Sequence, residues 1–171
     1  MKRKLFVILL LLLCLPAVQH SFAAATFEQS RQDKKEVRWI SNVKGCQSFV
    51  SIDSLIKSAD VVVIDFWFTG CAPCRKSFPD LEEIYHEFYT PKVKFYGVTA
   101  YDDEAAIISF KSKVDVPYPL LQVAPEAPQQ YYITEYPTLI IFYKGKPALT
   151  LEGYSSLFKS QVKTKLALLT K

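Results

Sequence analysis

The sequence predicts an α/β fold: a central mixed β-sheet flanked by helices. Three observations predict it. Val61 to Phe68 (VVVIDFWF) is a β-branched and aromatic run without polar alternation, the pattern of a strand covered on both faces in mid-sheet. Strand-like and helix-like segments then alternate. Last, two strand-like runs, Thr138 to Tyr143 and Ala148 to Glu152, flank the turn Lys144-Gly145-Lys146 and read as a hairpin.

The elements follow in order. Lys2, Arg3 and Lys4, the apolar run Leu5 to Leu15, Pro16 and a small-x-small site give residues 1–23 the layout of a secretory signal peptide, with cleavage after residue 23 or 25. A run that short is a poor membrane span, but an uncleaved leader would tether the chain. Leu13 precedes Cys14 where a lipoprotein signal has a small residue, which argues against lipidation. Residues 24–36 are polar and read as a flexible lead-in. The domain is expected over residues 37–171, opening with a peripheral strand at Val37 to Ile40. A short helix follows within Cys46 to Lys57, capped by Ser51 or Asp53.

After the central strand, Leu81, Ile84, Tyr85 and Phe88 form one helical stripe, with a kink expected at Pro79. Val93 to Thr99 reads as a strand. Asp102 or Asp103 caps a helix to about Lys113, with Ile107, Ile108 and Phe110 apolar. Val116 to Pro119 is a loop, Leu120 to Val123 a short strand and Pro125 to Tyr132 a short helix. After the hairpin, Ser155 or Ser156 caps a last helix with Phe158, Val162, Leu166 and Leu169 on one face.

Composition narrows the function. The 171 residues are 50% hydrophobic and 22% charged, the profile of one globular domain. The formal net charge of +4 falls to +1 once Lys2, Arg3 and Lys4 leave with the leader, which carries no acidic residue. The remainder has no basic stripe, so no nucleic-acid partner is expected.

The chemistry concentrates in FTGCAPCRKSFP, residues 68 to 79. Cys71 stands where a buried strand ends and a helix begins. Unpaired N–H groups and the helix dipole there stabilise a thiolate. Cys74 lies one turn deeper, close enough to bond Cys71. Ala72 and Pro73 separate the pair, and Pro73 loses nothing in a first helical turn, where its N–H would be unpaired. Asp65 is the only charge in its apolar run; buried, it would have a raised pKa and could take a proton from the inner thiol. An Asp at a bend facing water is the plain alternative. The pair itself could be a structural disulfide, half of a metal site or a working dithiol. A structural disulfide closing so small a loop stabilises little. Zinc needs two more ligands, and the mature chain offers only Cys46 and His86. Haem attachment needs a His where Arg75 stands. No metal and no cofactor are therefore expected.

DFWFTGCAPCRKSFPDL resembles the active-site segment of the thioredoxin superfamily at Asp65, Trp67, Cys71, Pro73, Cys74 and Pro79. YPTLIIFYKGK resembles its second signature, which implies a cis peptide bond before Pro137. The resemblance runs from about Val61 to Lys171 and implies a thioredoxin-like fold. The extra strand-helix insertion before the cis-proline, around Asp103 to Val123, and the export signal resemble the TlpA/ResA-like branch, exported thiol-disulfide oxidoreductases that include reductants of cytochrome c maturation. The sequence departs from that branch at Ser77, where several members have Glu, at Tyr136, and at Ala72-Pro73.

The resemblance implies Cys71 as nucleophile, Cys74 as resolving thiol, a Cys71–Cys74 disulfide and Asp65 as proton acceptor. Trp67, Tyr136 and Pro137 would bind substrate. The expected protein is a periplasmic or otherwise extracytoplasmic monomer that reduces disulfide-containing protein substrates and is recharged by a membrane thiol donor. A non-catalytic peptide-binding module and a dithiol oxidase or isomerase are the alternatives.

Overall fold

The computed structural model describes residues 49–171. The leader, the lead-in, the strand expected at Val37 to Ile40, and Cys46 lie outside the described residues. The elements are α1 (Ile52–Leu55), β1 (Val61–Phe66), α2 (Ala72–Phe88), β2 (Val93–Thr99), α3 (Glu104–Lys111), β3 (Leu120–Gln122), α4 (Ala127–Gln130), β4 (Thr138–Tyr143), β5 (Lys146–Glu152) and α5 (Phe158–Leu169).

The sheet order is β3-β2-β1-β4-β5, with β1 parallel to β2, β2 parallel to β3, and β4 antiparallel to both β1 and β5. The mixed sheet expected from the alternation is thus formed, with β1 at its centre. All six β1 residues are buried. Their alternation divides them: Val61 and Val63, with Trp67 beyond, pack with α2 and α5, whereas Val62, Ile64 and Phe66 pack with α1 and α4. A one-residue slip of β1 would exchange the two sets, so two packed faces fix the register.

Helix α2 buries Cys74, Phe78, Leu81 and Ile84 and runs through Pro79 without a break. The β4–β5 turn places Lys144 and Gly145 at φ of 50° and 77°, the left-handed pair of a two-residue hairpin.

Several boundaries differ from expectation. Asp103 caps α3, its carboxylate accepting from Ala106 N at 2.8 Å, and the helix ends at Lys111 rather than Lys113. Ile108 is exposed, because only Ile107 and Phe110 of that helix turn inward. Neither Ser155 nor Ser156 caps α5: the cap position is Leu157, with no side-chain bond, and Ser155 contributes its carbonyl to Phe158 N. The first helix is only Ile52–Leu55, with Ser51 at its cap position.

Candidate active site

Strand β1 ends at Phe66, and Cys71 opens α2 as its N-cap. Between them, Cys71 N donates to Phe68 O at 3.0 Å, closing a tight turn. Cys71 and Cys74 form a disulfide with Cα atoms 5.3 Å apart. Cys74 is fully buried and Cys71 is 3% exposed, while Ala72 and Pro73 between them are exposed. Cys74 N donates to Cys71 Sγ at 3.1 Å. That is one of the N–H groups the helix cannot use itself, and in the dithiol state it would favour a thiolate on Cys71. Pro73 sits in the first turn, where it withdraws no bond from the ladder.

Asp65 is 2% exposed. By alternation it shares the α2 side of β1 with Val63 and Trp67, the side on which Cys71 and Cys74 pack. Burial pushes its carboxyl up to about 7, partly offset by a hydrogen bond from Tyr118. That bond is long: Tyr118 OH donates to Oδ2 at 3.4 Å, and Oδ1 has no partner among the described residues. Burial, and then the charge and bond of Asp65, push the Tyr118 phenol well above its ordinary value.

The Tyr136–Pro137 peptide bond is cis. Pro137 is buried, and its carbonyl accepts from Gly153 N at 2.8 Å, which ties the turn to the end of β5. Tyr136 meets Phe68 and Tyr101 edge-on, with ring centroids 5.4 and 5.7 Å away. Tyr101 is 67% exposed, so these rings form a partly open aromatic surface against the turn before Cys71. Trp67 lies elsewhere. Its indole has no exposed surface and packs on Phe78 and Phe110, so any part it plays in docking is support from beneath.

Sequence reasoning treated Asp102 only as an alternative helix cap. Its carboxylate instead accepts from Thr69 N at 2.8 Å, Thr69 Oγ1 at 2.6 Å and Thr99 Oγ1 at 3.0 Å, fastening the turn before Cys71 to the end of β2. Arg75 Nη2 donates to Thr69 O at 2.6 Å and ties the first turn of α2 to the same residue. Tyr118 was missed altogether. Its one sequence signal is an aromatic between Pro117 and Pro119, which says loop and nothing about what the ring faces.

The AhpC/TSA family model matches residues 23–144. The chain is 32% identical to the thioredoxin of Acidithiobacillus ferridurans over 118 residues, covering 67% of this chain and 87% of that protein. It is 26% identical to the thiol-disulfide oxidoreductase ResA of Bacillus cereus over 160 residues, 88% of each. It spans 45% of the length of the chloroplastic M-type thioredoxin of Brassica napus. Its fold matches the crystal structure of a thiol:disulfide interchange protein from Chlorobium tepidum with a TM-score of 0.58, at 19% identity, over 70% of this chain and 85% of that one.

Proposed function

Since the chain belongs to the AhpC/TSA family of the thioredoxin superfamily and is a thiol-disulfide oxidoreductase of ResA type, we propose that it is exported and reduces disulfides of exported proteins through Cys71 and Cys74. The observation that carries this reading is the buried Cys71–Cys74 pair at the start of α2, on the side of β1 that carries the protonatable carboxyl of Asp65.

The steps balance without a further reactant. Cys71 thiolate attacks one sulfur of a substrate disulfide, forming a mixed disulfide and expelling the other sulfur as a thiolate. Cys74 gives its proton to Asp65, directly or through a water. The Cys74 electron pair then forms the bond to Cys71 Sγ, and the second substrate sulfur leaves as a thiolate. The substrate is reduced by two electrons and the protein oxidised by two, ending in the Cys71–Cys74 disulfide. A carboxyl near 7 suits this role, because an acceptor works best when its pKa lies close to the operating pH.

Tyr136 and Pro137 would present the docking edge, where an extended substrate segment pairs with the backbone of Tyr136 as in strand addition. A membrane thiol donor would return the disulfide to the dithiol. The leader supports a periplasmic or extracytoplasmic site, and the ResA relationship supports a role such as cytochrome c maturation.

The test is the reduction potential of the mature chain, equilibrated in dithiothreitol or glutathione buffers with thiol trapping. A value near or below that of thioredoxin, about −270 mV, is expected for a reductant. A value near −120 mV would reverse the direction and make the protein an oxidant. A pair that never interconverts, with no acceleration of insulin reduction by dithiothreitol, would leave a non-catalytic binding module.

A further inference from the structure

On the α2 side of the sheet, Asp65 meets few groups that can hydrogen-bond or carry charge. Its partner across β2 is Gly97, which has no side chain, and across β4 it is Leu139. A Cβ on Gly97 would lie 2.4 Å from Leu120 Cδ2 and 3.1 Å from Trp67 Nε1, so β2 has no room for a side chain that could pair with Asp65. Helix α5 turns apolar residues inward. Among the described residues, the titratable groups on this side are Tyr118, which bonds Asp65, Cys71 and Cys74, which pack in the same cluster, and Tyr85 and Lys111, which touch Tyr118. Lys111 Nζ reaches the Tyr118 carbonyl at 3.4 Å.

Tyr118 is packed in place on both sides. It is 2% exposed, with Phe95 and Tyr85 ring centroids 6.3 and 6.1 Å from its own. Pro119 O accepts from Gly97 N at 2.9 Å, which anchors the loop to the residue paired with Asp65. The hydroxyl therefore reaches Oδ2 from a fixed ring, and Oδ1 stays unpartnered among the described residues.

We propose that Tyr118 is a positioning residue for Asp65: its hydroxyl, donating to Oδ2, holds the carboxyl so that Oδ1 is the oxygen that receives the Cys74 proton. The inference rests on the proposed role of Asp65 as proton acceptor. The hydroxyl also favours the ionised carboxyl over the neutral one, which keeps Asp65 able to accept a proton near neutrality.

The test is Tyr118→Phe, which keeps the ring and removes one oxygen, in the full mature chain. The Asp65 carboxyl is titrated by carbon-13 NMR in the oxidised protein, a readout independent of turnover. The pH profile of insulin reduction is measured in parallel, in wild type, Y118F, Asp65→Asn and the double variant. The expected result is a rise in the Asp65 midpoint of about half a pH unit or more, roughly a threefold change in the protonation equilibrium. The acidic limb of the rate profile moves up by the same amount, and Y118F has no added effect once residue 65 is Asn. An unmoved midpoint overturns the inference and leaves Asp65 as acceptor intact. A moved midpoint with an unmoved profile overturns the acceptor role, and the inference with it. A Y118F effect that persists in the double variant shows that Tyr118 acts through something other than Asp65 and also overturns the inference.

Discussion

Replacing Asp65 with Asn should make the protein more stable at pH 8 while making it a slower enzyme. The carboxyl is raised by burial from 3.8 to about 7, and it is 2% exposed, so solvent screening does little to reduce the effect. A folded-state pKa above the unfolded value means that the native state binds the proton more tightly. Stability from this group is full below about 3.8, is lost as pH rises toward 7, and is flat above that. Raising the carboxyl from 3.8 to about 7, at about 1.36 kcal/mol for each tenfold change in the protonation equilibrium, corresponds to a loss of about 4 kcal/mol. That is a large part of the 5–15 kcal/mol that holds a typical domain together. Asn mimics the neutral acid and carries no such loss. Urea unfolding of oxidised wild type and D65N at pH 4 and pH 8 isolates the effect, since every other titration cancels in the difference. D65N should gain about 4 kcal/mol on wild type between the two pH values, while its resolving step slows at neutral pH. Unfolding curves that stay parallel across the whole range would refute the argument, because Asp65 would then not be a buried ionising group.

The remaining predictions address the pair and its supports. Cys71→Ser should reduce insulin disulfides no faster than buffer, and Cys74→Ser should accumulate a mixed disulfide visible on non-reducing gels; turnover by C74S at the wild-type rate would contradict the resolving role. Gly97→Ala should lower stability by about 1–3 kcal/mol in urea, because its Cβ meets Leu120 Cδ2 at 2.4 Å. A cost under about 0.5 kcal/mol would mean that Leu120 moves aside freely. Asp102→Asn should cost about 1–3 kcal/mol, because an amide cannot accept from Thr69 N, Thr69 Oγ1 and Thr99 Oγ1 together. It should also alter the Cys71–Cys74 reduction potential; a variant of unchanged stability and potential would show that the Thr69 turn holds without it.

Much of the site is local and therefore legible. The unbroken apolar run of β1, the turn into α2, and Cys71 and Cys74 one helical turn apart are short-range patterns, and the chain keeps them together whatever packs around it. Asp65 could be singled out for the same reason, as one charge inside a buried run. What could not be read is pairing over long separations. Tyr118 meets Asp65 across 53 positions and Asp102 meets Thr69 across 33. The cap of α3 was ambiguous because Asp102 and Asp103 carry the same chemistry and only the fold gives them different neighbours.

The sequence by itself therefore determined the order of the elements over the described residues, though not all their bounds and caps, together with the thiol pair and its place at a helix start, because periodicity and spacing act over a few residues. The tertiary structure decided which groups surround Asp65. Its partner on β2 is a glycine, and a loop held by Gly97 N brings a phenol to the carboxyl instead. Burial of Trp67 beneath Phe78 and Phe110, with Tyr101 left open, was decided there too. Desolvation depends on everything that packs around a group, and that sum exists only once the sheet and both helical layers have closed.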